Sequence, residues 1–516
     1  MKVEQLHGPS IKPFQIADLE RLIQEDSADI FGPFGLQKGG KVIVTRAPAR
    51  LDIMGGVADY CGANVFEMTL ERIAIAACQA REDRHIRAVT LGVGNQYLYQ
   101  PTKPENDTSN TVLLGDKRVQ QGVELSLDDF YADGELKTYA QVRELFNKDA
   151  QTAWSGYILG GFYVLLKEGK LERFPHGAAI VLKSTIPIGA GIASSAAIEV
   201  AALMAIDKLY GLKLSERDIA QVAQIVENRI VGAPCGIMDG VTSVSGKMGK
   251  ILSIRCQPPT SLTSEVPYEI LEGVSKPFYV KFVGVNTKAP RSTTSTAYIE
   301  ARTAAFMGLT ILQKALKLET NYLCDFSVQE FHERCKPLLP EQMRGEEFLE
   351  KYGATVDTVT EVAAEKVYPI RCRVQHPIYE HHRVKRFIAA LKNADKHPER
   401  IRAYLREAGA LMYESNASYR DLAGLGSPEV DGLVRIAQKI GEEGGIYGAK
   451  ITGGGGGGTV ALLCYGMVTK SLTQLHAAYK LAWGLDAEIF HGSPDGAAEF
   501  GHYVWELKES APIEHF

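Results

Sequence analysis

The stretch "PIGAGIASSAA", Pro187 to Ala197, sets Gly189 and Gly191 ahead of two adjacent serines, Ser194 and Ser195, and a run of helix formers. That composition suits an anion site. A helix N-terminus leaves about four backbone N–H groups unpaired and carries roughly half a positive charge. Glycines let an anion approach the backbone closely. A serine hydroxyl could reach a metal riding on a phosphate. The same residues also read as a tight turn whose serines only cap the helix. The loop is not a Walker A motif, because no Lys-Ser or Lys-Thr closes it. It is also a poor dinucleotide fingerprint, because Ser194 stands at the third glycine position.

Other groups with chemical potential lie far from this loop. "RAPARLDIMGGVADYCGANV" starts at Arg46 and carries Arg50 and Asp59. "VENRIVGAPCGIMD" carries Glu227, Gly236 and Asp239, and "ITGGGGGGTVALL" starts at Ile451. Locally each has a plain reading. Glu227 suits a solvated helix end, Asp239 and Asp59 suit turns, and Arg50 suits a structural ion pair. Tyr298 suits an amphipathic helix. Gly453–Gly456 could be a linker, but the flanking "YGAKI" and "TVALLCY" look like strands and disfavour that. The histidines of "HPIYEHH" (His376–His382) are not completed by a carboxylate or cysteine set and suit a metal poorly. Cys235, beside the aspartate loop, is a candidate for thiol reagents.

Elements must bring these groups together. Residues 41–46 and 178–183 read as buried strands around a glycine-rich turn at 54–63. A largely apolar helix runs from Ser195 to Tyr210, with Gly211 as its stop. Ser215 with Asp218 marks a second helix start, and that helix is expected to continue to about Ile230. Further strands are expected at 250–255, 278–285 and 486–490. Helices are expected at 297–317, 382–394, 399–414, 428–440 and 469–483. The two types mix without a strict βαβ rhythm, which argues α+β. The domains expected are an N-terminal extension over 1–37, a first domain over 38–246 and a second over 247–516. The boundary between the last two is soft, near 246–275.

Bulk composition narrows the classes. The chain has 516 residues, 45% hydrophobic and 23% charged, with a formal net charge of −5. That is ordinary for a globular protein and gives no basic footprint for nucleic acid. Eight scattered cysteines without paired spacing suggest reduced thiols rather than a disulfide framework. The first residues form no apolar run, and no segment is long and apolar enough for a membrane span. A cytoplasmic protein without nucleic-acid or membrane partners is expected.

Together, the three stretches resemble the GHMP small-molecule kinases. "PIGAGIASSAA" is similar to their phosphate loop, "RAPARLDIMGGVADYCGANV" to the sugar motif of galactokinases, and "ITGGGGGGTVALL" to their C-terminal glycine motif. "AYIEARTAAFMG", "RGEEFLEKYG" and "HPIYEHHRVKRF" further resemble the kinase part of plant L-arabinokinases, which are galactokinase relatives. The resemblance implies an S5-like N-terminal domain and a ferredoxin-like C-terminal domain with ATP and sugar between them.

It also implies roles. Gly189, Ala190, Gly191, Ile192, Ala193, Ser194 and Ser195 would hold ATP. Ser195 and Glu227 would hold Mg²⁺. Asp239 would take the proton of the attacking hydroxyl, with Arg50 orienting it. Asp59, Gly236 and Tyr298 would line the sugar site, and Gly453, Gly454, Gly455 and Gly456 would close over the substrates. Galactokinases carry Glu-His where this chain has Gly56 and Val57. In them the glutamate meets the sugar's 6-hydroxyl. A substrate without that arm is therefore expected, and L-arabinose to L-arabinose 1-phosphate is the favoured reaction. Galactose or another sugar is the alternative within enzymes; a non-catalytic regulator that binds sugar and ATP is the alternative outside them.

Overall fold

Long β-branched and alanine-rich runs, buried along most of their length, make the strands Gly40–Met54 and Asn64–Ala80. They form the antiparallel centre of a nine-stranded sheet in a computed structural model that describes residues 1–10, 12–91, 121–149, 152–257, 268–271, 280–289 and 296–509. Ala178–Ser184 pairs antiparallel with Asn64–Ala80 and parallel with His85–Leu91. Ile251–Arg255 pairs with the start of Asn64–Ala80.

The helix Ser194–Tyr210 packs against both central strands and against neighbouring helices. That setting explains why it is apolar nearly all round. Gly211 ends it in the left-handed conformation, as expected. Ser215 and Asp218 form the expected capping box of the next helix, Glu216–Ile225. That helix does not run on regularly to Ile230. It widens into a π-helical turn, Val226–Val231, that ends at Gly232 with φ of 87°.

A second, four-stranded antiparallel sheet holds Ile446–Ile451, Thr459–Tyr465, Val280–Asn286 and Glu488–Phe490 in that order. The helices Ile401–Asp421, Pro428–Ile440 and Thr469–Trp483 pack with it. The helix expected at 382–394 is longer, Ile370–Lys396, and includes the histidine stretch. His376 there accepts or donates to Ser418 Oγ at 2.8 Å, and His381 Nδ1 accepts from the Asn64 N–H at 2.9 Å. Both rings serve as struts between elements, and burial pushes both down to about 3.

The first sheet crosses the linear division of the chain, and segments of the expected N-terminal extension, 1–37, pack into it. Lys2–His7 pairs with the C-terminal strand His502–Lys508, which in turn pairs with Gly40–Met54. The helix Phe14–Gln24 buries Ile16, Leu19 and Ile23 against Val42, Val44, Ile73 and Ile75 of the sheet. The first sheet thus takes strands from both ends of the chain and continues past residue 246 to Ile251–Arg255. Edge pairing explains this: an uncovered strand edge is satisfied by whatever segment returns to it, however distant in sequence. Part of the boundary stretch 246–275 and the first residues of the strand expected at 278–285 lie outside the described residues.

Candidate active site

The phosphate-loop candidate joins the strand Ala178–Ser184 to the helix Ser194–Tyr210. Gly189 and Gly191 have φ of 73° and 75°, where glycine is favoured. Ala193, at 58°, is the N-cap, and no side chain caps the helix. Ser194 and Ser195 are therefore not caps; they are the first two helical residues. The loop's carbonyls are committed to its supports. Thr459 Oγ1 donates to Ala190 O at 2.7 Å, Arg50 Nη1 to Gly191 O at 2.7 Å, and the Arg50 N–H to Ile192 O at 3.1 Å. In a trans peptide the following N–H points the opposite way. The amides of 191–193 are thus turned away from those supports, beside an uncapped helix start. That is the arrangement an anion requires.

Arg50 is the hinge of the site. It sits near the end of Gly40–Met54, only 3% exposed. Its Nε donates to Asp239 Oδ1 at 2.7 Å, and Glu67 Oε2 lies 3.6 Å from the same nitrogen. Burial opposes its charge, but Asp239, Glu67 and Asp52 outweigh it and hold the guanidinium protonated. Asp239 lies in the first turn of the helix Met238–Ser245. The loop before it is fixed by Asn228, whose Oδ1 accepts from the Cys235 N–H at 2.8 Å, and by Arg302, which donates to Cys235 O at 3.2 Å. Arg302 in turn grips Asp357 through two bonds of 2.8 and 2.9 Å.

Asp59 sits in the short 3-10 turn Gly56–Cys61, buried, with its Oδ1 accepting from the Tyr60 N–H at 2.7 Å. Gly236 lies directly against its carboxylate. Burial, then the Asp239 charge, push Asp59 up to about 7. Tyr298, on the helix Thr296–Leu316, is buried and meets Tyr60 edge-on at 6.0 Å. A cavity of about 510 Å³ opens beside Asp59 and Gly236, walled also by Tyr60, Asn228, Cys235 and Arg302.

Glu227 is buried on the π-helical turn, near Ser195 and Cys235, whose side chains favour its charged form; burial and then Asp239 outweigh them and push it up to about 7. This is not the solvated helix end that local sequence suggests. Ser195 and Glu227 offer a hydroxyl and a carboxylate at one point beside the phosphate loop. That donor set fits a hard cation that completes its shell with phosphate oxygens and water. Among the described residues, no group of three or more His, Cys, Asp or Glu could hold a metal by itself. Cys235 is partly exposed in the loop before Asp239. Burial and the carboxylates of Glu227, Glu199 and Asp239 push its thiol well above the ordinary range, which disfavours the reactive thiolate.

The glycine motif closes the site from the second sheet. Gly453, Gly455 and Gly456 have φ of 61°, 72° and 72°, and Gly457 and Gly458 follow at 130° and 83°. A Cβ on Gly453 would come 2.8 Å from Gly191 O and 3.0 Å from Arg50 Nη2. Only glycine permits this approach of one loop to the other. Gly454 and Gly456 form the more exposed tips.

Arg50, Asp59, Gly191, Gly236, Asp239 and Gly453 thus meet at one junction, and Tyr298 reaches it through Tyr60. Several others there carry no local signal. Asp52 accepts from Lys450 Nζ at 2.8 Å, both side chains being fully buried, and from the N–H groups of Gly56 and Gly453, each at 3.0 Å. Glu67 and Glu199 are buried with carboxylate oxygens lacking hydrogen bonds, and burial drives both well above the usual carboxylate range. Tyr419 arrives from a distant helix. Lys450, one residue before the glycine motif's "ITGG", was the one with a usable hint: a lysine in an otherwise apolar strand needs a partner.

Three stretches of the chain match known family models. Residues 157–247 match the GHMP kinases N terminal domain, residues 388–479 the GHMP kinases C terminal domain, and residues 34–80 the galactokinase galactose-binding signature. The chain thus carries the N- and C-terminal domains of the GHMP kinases together with the galactokinase galactose-binding signature, on a mixed α/β architecture. It is 32% identical over 509 residues to L-arabinokinase of Arabidopsis thaliana, an alignment that covers 90% of this chain and 46% of the relative. The chain thus spans about half the length of that protein. It is 26% identical to galactokinase of Roseiflexus sp. (strain RS-1), over 87% of this chain and 90% of that one. Its fold matches Lactococcus lactis galactokinase complexed with galactose, with a TM-score of 0.65 and 22% identity over 94% of this chain and 99% of that one. Among the described residues, no helix is long and apolar enough to cross a membrane.

Proposed function

We propose that the protein is an ATP-dependent sugar 1-kinase that phosphorylates the anomeric hydroxyl of L-arabinose to L-arabinose 1-phosphate. One observation carries the reading: Arg50 donates at 2.7 Å both to the Asp239 carboxylate and to the Gly191 carbonyl of the phosphate loop. A single guanidinium thus couples the base to the nucleotide cradle. Phosphoryl transfer relies mainly on positioning and charge stabilisation, and this geometry supports both.

In the proposed reaction Asp59 accepts hydrogen bonds from adjacent sugar hydroxyls. Asp239 takes the proton of the anomeric hydroxyl as its oxygen attacks the γ-phosphorus of ATP. Arg50 stays protonated, holds the Asp239 carboxylate in place and offsets charge on the moving phosphoryl group. The loop amides and helix N-terminus retain the ADP phosphates. The transfer is direct, with no phosphoenzyme. Ser195 and Glu227 would hold Mg²⁺, which supplies neutralisation of phosphate charge when bound.

The choice of L-arabinose rests on Gly56 and on similarity to L-arabinokinase. Position 56 has no space for a carboxylate side chain, because Tyr419 and Asp52 occupy it. A site without an acceptor for a 6-hydroxyl disfavours a hexose that must bury one. The test is ADP release with Mg-ATP over L-arabinose, galactose, galacturonate and glucuronate, with phosphorus NMR of the product. A sugar 1-phosphate, with L-arabinose preferred, is expected. Equal turnover of galactose would defeat the substrate assignment. Sugar and ATP binding without turnover would replace the kinase reading with a regulator that works by binding alone.

A further inference from the structure

Tyr419 takes no part in the chemistry above, yet it lies between the two loops that flank it. It belongs to the helix Ile401–Asp421 and is fully buried. Its hydroxyl accepts from the Val57 N–H at 2.8 Å and donates to Gly453 O at 3.0 Å. Its proton and one lone pair are therefore both committed. One bond holds the turn that carries Asp59; the other holds the glycine motif that abuts Arg50 and the phosphate loop.

The surroundings fix the ring. Lys450 Nζ lies 5.0 Å from its centroid, and His376 meets it edge-on at 5.2 Å. Val57, Ala423 and Leu425 share its apolar cluster. Lys450 and the Gly56 and Gly453 amides all converge on Asp52, so the hydroxyl and that carboxylate brace the same two loops in parallel.

Position 56 shows how closely the two are fitted. A Cβ on Gly56 would lie 1.6 Å from the Tyr419 hydroxyl, 2.9 Å from Cζ and 2.6 Å from Asp52 Oδ2. The tyrosine hydroxyl occupies the place that a side chain at 56 would take.

We infer that Tyr419 is a positioning residue: from the second sheet's helix layer it supplies the bulk that position 56 lacks, and its hydroxyl ties the Asp59 turn to the glycine motif. For its kinetic consequence this rests on the sugar-kinase reading. The glycine motif keeps other holds, the Gly456 N–H on Leu425 O at 2.7 Å and Thr452 Oγ1 on Asp52 O at 2.9 Å, so loss of the hydroxyl loosens the Asp59 turn first and sugar binding suffers before nucleotide binding.

Two measurements test this in the full chain. Tyr419→Phe keeps the ring and removes both hydrogen bonds. The sugar KM is expected to rise about tenfold, with the ATP KM and kcat each within about threefold of wild type. Unchanged sugar KM, or equal loss for both substrates, overturns the inference. The second is a double-mutant cycle of Gly56→Ala and Tyr419→Leu read by unfolding midpoint. Alanine at 56 meets the hydroxyl only when tyrosine is present, so the double variant should lose clearly less than the sum of the single losses. Simple additivity overturns the inference. The cycle needs no turnover. If the wild type phosphorylates no sugar, the functional proposal fails while the cycle still decides the role of Tyr419.

Discussion

Gly236 and Asp59 touch so closely that a Cβ built on the glycine would lie 1.7 Å from the aspartate's Oδ2. The loop that leads into the Asp239 helix is thereby pressed onto the turn that carries the candidate sugar ligand. Gly236→Ala should displace Asp59 while leaving the phosphate loop untouched. Sugar KM is expected to rise at least about tenfold, and small misplacements in such sites can cost about 100-fold. ATP affinity, measured by calorimetry, should stay within about twofold.

Removing the base without changing its shape separates chemistry from binding. Asp239→Asn retains an acceptor for Arg50 but cannot take a proton at neutral pH. A fall in kcat of about 10²- to 10⁴-fold is expected, with sugar and ATP dissociation constants little changed. Single-turnover kinetics with calorimetric binding checks this.

Asp59 also gives a pH signature. Its carboxyl is raised from 3.8 in the unfolded chain to about 7 in the fold, chiefly by burial. Between those values the folded protein keeps a proton that the unfolded chain has released. This group's share of stability is therefore full below 3.8, falls as pH rises through the window and is gone above about 7. Asp59→Asn should flatten that part of the dependence, read as the difference in unfolding midpoint from wild type between acidic and mildly alkaline pH. Sugar binding should run the other way. If the carboxylate is the acceptor, affinity rises with pH up to about 7, by at most about tenfold per pH unit. Calorimetry without nucleotide reads it.

The buried Lys450–Asp52 pair joins the first sheet to the glycine motif. Lys450→Met strands a carboxylate that also serves Gly56 and Gly453. A loss of about 3–5 kcal/mol is expected in denaturant unfolding. The Asp52→Asn, Lys450→Met double variant should recover part of it, because no uncompensated charge remains.

Local features were well legible. The Ser215–Asp218 box, the Gly211 stop, the apolar helix Ser194–Tyr210 and the strand–glycine–strand unit near the C-terminus all follow from residues within a few positions of one another. The π-helical turn that buries Glu227 was not. Its wider hydrogen-bonding pattern leaves no mark in apolar spacing, so a regular helix was the natural expectation. The roles of Ser194 and Ser195 were ambiguous for a similar reason: whether a serine caps a helix or begins it depends on a φ angle at Ala193.

The sequence by itself determined which chemical groups exist and in what local frame: glycines where the backbone must turn left-handed, serines at a helix start, and carboxylates in short stretches beside them. Tertiary structure alone decided that Arg50 reaches both Asp239 and Gly191, that Tyr419 fills the space at Gly56, and that the strands Lys2–His7 and His502–Lys508 lie side by side in one sheet. The physical reason is range. Backbone preference and capping are set by neighbours along the chain, whereas the burial and ion pairing that shape these carboxyl groups arise only when segments hundreds of residues apart exclude water together.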